Sequence, residues 1–252
     1  MRRACRAVTT LFILFSLCSF PVAGQQDQGQ KIAEGKKISE KLITAIGGRD
    51  RIEKIADRTV TSDLNLLSYG VSATRVTYMK GSSKIRLDTK IMGMNSVLAY
   101  DGEKGWMINP QTGFATDMPQ QVTAELKKAA IGDDALLHPE KIGITVTSEG
   151  QKSIEGKEYI VMKQTYQDGD VTTVYLDPAT YLPYRSVSTS LDEKLEKVEQ
   201  EITLSDYREV DGIKLPFIAR VTQKGTDYAT VTIKEYKFNT GLSDSLFARP
   251  AK

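Results

Sequence analysis

Residues that supply covalent or metal chemistry are scarce in this chain. Its 252 residues include two cysteines, one histidine and one tryptophan. Both cysteines, Cys5 and Cys18, lie among the first 24 residues, so the rest of the chain offers no disulfide, no thiolate nucleophile and no cysteine ligand for zinc. The single His138 stands in a polar loop before Pro139, and no serine lies in a Gly-x-Ser-x-Gly motif that would use a histidine base. We therefore expect a protein that is not an enzyme, with no catalytic residue, no metal site and no cofactor.

Long apolar runs are absent after the first 24 residues. That first segment has a basic start with three arginines, an apolar centre from Ala7 to Phe20, and the small residues Val22-Ala23-Gly24 at its end. This arrangement is typical of a signal peptide, and the apolar centre is shorter than the roughly 20 residues that span a bilayer. The sequence predicts a signal peptide over residues 1–24, cleaved before Gln25, and a periplasmic or otherwise exported protein.

Two alternatives to a cleaved signal peptide remain open at this point. The same apolar segment could stay as a membrane anchor, although its length argues against this. Cys18 could be acylated as in a lipoprotein, but the bulky Leu17 stands just before it, where a small residue is expected.

A surplus of charge of either sign is also absent. Three of the 34 Lys and Arg residues lie in the first 24 residues and none of the 32 Asp and Glu residues does, so 31 basic residues face 32 acidic ones in the rest of the chain. Because no basic excess is present, we expect no nucleic-acid partner and no electrostatic binding to an anionic surface.

The periodicity of apolar residues changes along the chain. Residues 25–37 are polar and predict a flexible leader, and residues 38–252 predict a single domain. Ile38, Leu42, Ile43 and Ile46 form one helical stripe that ends at Gly47-Gly48. From Arg58 onwards, apolar residues recur at every second position in about ten runs separated by turn residues, with one further helix over 118–131 and a loop over 133–141.

This pattern predicts a mainly β (α+β) fold. The helices are too few and too irregularly placed for βαβ units, and a long antiparallel sheet tends to curl. We expect a curved antiparallel sheet that forms an incomplete barrel, with helices covering its concave face. Such a fold encloses an apolar interior in which a ligand can bind.

Several segments resemble a known family. They are Tyr100-Asp101-Gly102 with Gly105-Trp106, the run from Tyr175 to Pro183, the run from Asp206 to Pro216, the ending Asp244 to Phe247, and Ala45 to Gly48 near the start. In their order and spacing these segments resemble exported bacterial proteins of the outer-membrane lipoprotein-sorting (LolA/LolB-like) superfamily, over about residues 40–250. The resemblance implies a half-barrel of about eleven strands with a helical lid and no catalytic residues. It also implies that acyl chains of lipids or lipoproteins are carried in the hollow, with envelope proteins as donor and acceptor.

The predicted ligand-binding residues are apolar side chains at period two on the strands, together with two residues of the lid helix from Met118. They are Leu64, Leu66, Val76, Tyr78, Ile85, Leu87, Trp106, Ile108, Leu126, Ile131, Val174, Leu176, Phe217, Val231 and Ile233. Each of them could equally fill a core, because pocket walls and cores use the same side chains. The alternative functions are a non-catalytic envelope interaction or sensor module of the same fold, and an exported hydrolase, for which no constellation of residues is recognisable.

Overall fold

The computed structural model describes residues 23–250, so the predicted signal peptide lies almost entirely outside the described residues. Thirteen strands form one antiparallel sheet. They are β1 Asp57–Leu66, β2 Val71–Lys80, β3 Lys84–Ile91, β4 Met94–Tyr100, β5 Gly105–Ile108, β6 Ala115–Asp117, β7 Thr145–Ile154, β8 Lys157–Thr165, β9 Val171–Leu176, β10 Pro183–Leu191, β11 Lys197–Val210, β12 Ile213–Gln223 and β13 Thr226–Phe238.

The strand order is β6-β5-β4-β3-β2-β1-β13-β12-β11-β10-β9-β8-β7. The two halves of the chain therefore meet where β1 pairs with β13, and β6 and β7 remain as unpaired edges. The sheet is a curved, incomplete barrel, as the sequence predicts. The number of strands exceeds the predicted count of about ten, in part because the three-residue strand β6 is too short to show a period.

Four α-helices accompany the sheet in the described residues: α1 Ala23–Ile46, α2 Arg49–Ile52, α3 Gln120–Ala130 and α4 Asp134–Leu137. The predicted helix over 118–131 is α3. The segment 133–141, predicted as a loop, contains α4 and the start of a 3₁₀ helix, Pro139–Ile142.

Helix α1 includes residues 25–37, so the prediction of a flexible leader there is wrong. Glutamine and lysine are good helix formers, and the helix has tertiary support where it crosses β7. A Cβ added to Gly35 would lie 2.7 Å from the carbonyl oxygen of Val146, which shows how closely the two backbones approach. The buried Ser39 also donates a hydrogen bond to Sδ of Met162 at 3.4 Å.

The helices cover the two flanks of the sheet. On one flank α1 packs on β7 and β8 through the core that includes Leu42, Val146 and Met162, and Ile43 of α1 also packs on Ile213 at the start of β12. On the other flank α3 packs on β3, β4 and β5 through Leu126 and Ala130. Burying a large aliphatic side chain is worth about 1.5–3 kcal/mol, so each flank is a substantial core of its own.

The start of β1 is tied to the chain segment after β13. The Asp57 carboxylate accepts hydrogen bonds from the backbone N–H groups of Thr240, Gly241 and Leu242 and from the Thr240 hydroxyl. Burial alone would raise the pKa of Asp57, but these hydrogen bonds outweigh it and lower the pKa. The ionised carboxylate therefore stabilises this junction.

Candidate functional site

The strand register defines which side chains share the concave face, because directly paired residues lie on the same face of a sheet. Two transverse apolar rows cross the central strands β1, β13, β12 and β11. We call them the apolar rows; the first is Leu64, Val231, Ala219 and Leu204, and the second is Leu66, Ala229, Val221 and Ile202. The second row continues through Ser186 and Val174 to Met162, which contacts the helix-covered core. The apolar rows therefore lie on the face that the helices cover.

The apolar rows are less covered than the flanks. Leu64 and Ala229 are buried, but the other six side chains are only half-buried. With neighbouring strands about 4.8 Å apart, four strands give an apolar surface about 14 Å wide. The centre of the concave face is thus a partly exposed apolar surface between the helix-covered flanks, and we call this surface the hollow.

Nine predicted ligand-binding residues lie on the concave face, and they divide between hollow and flanks. Those of the central strands are Leu64, Leu66, Phe217, Val231 and Ile233. Ile85 and Leu87 pack in the core under α3, and Val174 and Leu176 pack in the core that α1 covers. Of the two helical candidates, Leu126 faces the core under α3, and Ile131 caps the C-terminal end of that helix.

Four predicted residues lie on the outer face, so their assignment to a concave cavity is wrong. Tyr78 and Trp106 belong to one outer row with Arg86 and Ala99, and Val76 and Ile108 have the same orientation. Alternation within a strand shows which residues share a face, but it does not show which face of the sheet that is.

Trp106 has a structural role on that outer face. It is 2% exposed, and its Nε1 donates a hydrogen bond to the carbonyl oxygen of Phe247 at 2.8 Å. The guanidinium of Arg86 lies 5.8 Å from the centre of the indole ring and also donates to the carbonyl oxygen of Leu246. Trp106 therefore holds the C-terminal segment against the outer face of the sheet.

A charged residue that apolar periodicity does not select lies on the concave face. Arg75 on β2 belongs to a transverse row with Ser96, Thr89 and Ser62, which we call the polar row. The polar row adjoins the first apolar row, because Arg75 and Ser62 are two residues from Ala73 and Leu64. Nε of Arg75 donates to Oγ1 of Thr89 at 3.0 Å. Burial lowers the pKa of Arg75.

Helix α3 is tied to the opposite half of the sheet. Nζ of Lys128, near its C-terminal end, donates to Asp170 in the β8–β9 turn and lies 3.2 Å from Oδ2 of Asp168. Lys197 donates to the other oxygen of Asp170 at 2.7 Å. We call the Lys128–Asp170 pair the latch, because it joins α3 to β9 over the edge of the hollow. Beside it lies a pocket of about 220 Å³.

A second cavity of about 510 Å³ lies between α1 and residues 136–146. It is lined by Ile32, Ser39, Leu136 and Ile144, and His138 stands at its side with Nε2 3.6 Å from Glu53. Among residues 23–250, no group of three or more His, Cys, Asp or Glu side chains is arranged to hold a metal ion.

Three neighbouring hairpins expose apolar side chains at one end of the sheet. Residues 64–74, 91–100 and 105–116, which include the β1–β2, β3–β4 and β5–β6 turns, contain no charged residue. Their turns expose Leu67, Tyr69, Met92, Met94 and Phe114, with Met92 76% and Phe114 68% exposed. The turns at the same end of the other half, such as 192–196, are rich in charge. In the part of the chain that the structure describes, no helix is both long and apolar enough to cross a membrane.

Solved structures of the same fold are known. An outer-membrane lipoprotein-sorting protein domain from Vibrio parahaemolyticus is 15% identical, with a TM-score of 0.57 over 86% of this chain and 97% of that chain. A DUF1329 family protein from Desulfovibrio piger is 13% identical, with a TM-score of 0.59 over 86% and 97%. A LolA superfamily protein from Nitrosomonas europaea is 13% identical, with a TM-score of 0.56 over 85% and 97%.

At the level of sequence, no protein-family profile and no curated protein matches this chain. The likeness thus lies in the architecture, and it spans nearly the whole of each related structure. The sheet order, the helix-covered flanks and these three comparisons together show that the chain has the fold of the outer-membrane lipoprotein-sorting (LolA-like) superfamily.

Proposed function

We propose that this protein is an exported carrier that binds acyl chains of a lipid or lipoprotein in the apolar hollow, for transport or sorting in the cell envelope. The observation that supports this proposal most directly is the pair of apolar rows, whose side chains remain half-buried between two helix-covered flanks. The predicted signal peptide supports a place outside the cytoplasm. The proposal assigns no catalytic step to the protein.

The magnitudes favour an acyl chain as the cargo. Burial of a methylene group is worth about 0.8 kcal/mol, so ten buried methylenes contribute about 8 kcal/mol. That is comparable with the roughly 4–15 kcal/mol that association costs in lost freedom. Burial of the chain therefore offsets much of the cost of association, and polar contacts to the head group would add to the affinity. A donor and an acceptor protein of the envelope would exchange the ligand.

The test begins with the mature protein, purified without detergent. We expect native mass spectrometry and lipid extraction to detect a bound acyl lipid, and a fluorescent fatty acid to compete with it. Ala219→Trp places a large ring in the centre of the hollow, and we expect it to abolish binding. Thr230→Trp is the matched control, because Thr230 lies on the neighbouring strand and on the other face.

Two results would count against the carrier. One is a protein that holds no lipid and ignores the fluorescent probe; the other is equal loss of binding in Ala219→Trp and Thr230→Trp. A non-catalytic interaction or sensor module of the same fold would then be the better explanation.

A further inference from the structure

Arg75 is unusual among the charged residues of this sheet. On the concave face of β1 to β4 and β13, the register places two charged side chains, Arg58 and Arg75. Arg58 forms an ion pair with Asp133. Within residues 23–250, Arg75 has no carboxylate partner within 4 Å, and its single side-chain hydrogen bond is the one to Thr89.

This arrangement is costly for the protein on its own. A guanidinium has five N–H donors; Arg75 is half-buried, and partial removal of an unpaired charge from water is unfavourable. The depressed pKa of Arg75 has the same origin, since burial disfavours the charged form. Tyr228 on β13 lies close enough for the charge of Arg75 to act on its phenol, but a neutral phenol does not neutralise that charge. A charged group that is left without a partner, at some cost in stability, is typical of functional sites.

The surroundings of Arg75 separate a polar part from an apolar part. The polar row supplies two hydroxyl groups, with Thr89 bonded to Nε of Arg75 and Ser62 donating to the carbonyl oxygen of Arg75 at 3.4 Å. On one side of this row lies the first apolar row, which begins two residues away at Leu64. A cation at the border of an apolar surface suits an amphiphile whose anionic end is directly attached to a long chain.

We propose that Arg75 is the subsite for the anionic head group of an acyl ligand, a carboxylate or a phosphate, with the chain lying on the apolar rows. This inference rests on the proposed function and adds the chemical class of the cargo. Guanidinium groups bind both anions through paired N–H donors. The head group would provide the acceptors that Arg75 lacks in the protein.

The experiment compares three ligands of equal chain length on the mature protein: palmitate, hexadecyl phosphate and the uncharged hexadecanol. The variants are Arg75→Gln and the matched control Arg220→Gln, since Arg220 is exposed on the outer face of β12. We expect Arg75→Gln to weaken the binding of the preferred anion by about 10- to 100-fold, the range of one charge-assisted hydrogen bond. Hexadecanol binding should not change, and Arg220→Gln should behave as the wild type.

A second measurement separates a binding role from a structural one. If Arg75 serves the ligand, removing its unpaired charge should leave the thermal midpoint of the ligand-free protein unchanged or raise it, for example in Arg75→Met. If Arg75 supports the fold, the midpoint should fall. A fall in the midpoint without a selective loss of anion binding would overturn the inference.

The remaining outcomes are also decisive. Wild-type protein that binds hexadecanol as tightly as both anions would overturn the subsite and leave the carrier function intact. Wild-type protein that binds none of the three would overturn the carrier function, and the subsite with it. Tighter binding of an anion than of hexadecanol that is lost in Arg75→Gln supports the subsite, and the preferred anion shows whether a carboxylate or a phosphate fits it better.

Discussion

Replacement of Trp106 by phenylalanine tests the assignment of the two faces of the sheet. The change removes the indole N–H that bonds to Phe247, and it leaves a buried carbonyl oxygen without its donor. That loss costs about 1–3 kcal/mol, and the smaller ring adds a cavity worth about 1 kcal/mol. We expect a total destabilisation of about 2–4 kcal/mol, which corresponds to a thermal midpoint lower by roughly 4–16 °C for a chain of this size. Circular dichroism of a thermal melt measures it.

The same variant should bind acyl ligands with unchanged affinity, because Trp106 faces away from the hollow. Trp106 is also the only tryptophan in the chain, so the fluorescence of the wild-type protein reports on the outer face alone. A brominated fatty acid quenches tryptophan on contact, and we expect little quenching at saturation. The matched control combines Trp106→Phe with Leu66→Trp, which moves the tryptophan to the second apolar row and should be quenched strongly.

Two results would refute this reasoning. Strong quenching of Trp106 by the bound brominated chain would mean that the ligand lies against the outer face. Loss of acyl binding in Trp106→Phe at a temperature where the variant remains folded would mean the same. Either result would also remove the support that the apolar rows give to the proposed function.

Three further predictions concern the lid, the chain junction and the exposed hairpins. Lys128→Ala should release the latch and accelerate both uptake and release of a fluorescent fatty acid in stopped-flow experiments, with a smaller change in affinity; unchanged rates would show that α3 does not gate the hollow. Hydrogen bonding from Lys128 holds the pKa of Asp170 below its usual range, so the latch should be complete above pH 4 and weaken as the pH falls through that lowered value. Asp57→Asn should lower the free energy of unfolding, measured in urea at neutral pH, by about 1.5–3 kcal/mol. Because the pKa of Asp57 is lowered, the difference in unfolding free energy between variant and wild type should shrink only below pH 4. Met92→Ser combined with Phe114→Ser should slow acyl transfer from vesicles without changing equilibrium affinity for a soluble fatty acid; equal transfer rates would exclude a role for these turns.

Much of the fold is predictable because each strand and each turn has a pattern within its own few residues. Runs such as Ile85, Leu87 and Ile91 alternate with charged residues, and glycine turns separate them, so strands and hairpins can be recognised one at a time. The open shape of the sheet follows from the number of strands and their tendency to twist.

The concave face is harder to predict, because its membership depends on pairing between distant strands. β13 has an additional residue, Lys234, where Thr61 and Ser62 of β1 pair with Glu235 and Ile233. One such bulge exchanges the two faces for the rest of a strand, and a turn of different length does so between strands. The pairings of β2 contain no such shift; Val76 and Tyr78 are misplaced because alternation within a strand does not show which face the helices cover.

Arg75 escapes a sequence-based search for the same reason. The strand Val71–Lys80 offers Arg75, Thr77 and Met79 on one face and Val76 and Tyr78 on the other. Apolar periodicity favours the second set, and an arginine on a strand is most often solvent-exposed. Its position between Thr89 and Ser62, beside the apolar rows, is visible only when the pairing of three strands is known.

The positions of these features along β1 and β2 suggest a path for the cargo. The uncharged β1–β2 turn lies at the end of the sheet. Next comes Leu66 of the second apolar row, which pairs with Val71 of β2. Arg75 lies four residues beyond Val71, about 13 Å further in at 3.3 Å per residue. Beyond Arg75 the face passes under α3 at Met79 and Ile85. A ligand that enters from this end would meet uncharged turns and apolar rows before its head group reaches the cation. The order of these features thus places the polar anchor inside and the apolar surface at the entrance, so that the chain of an amphiphile, and not its head group, would be the part closest to a donor membrane.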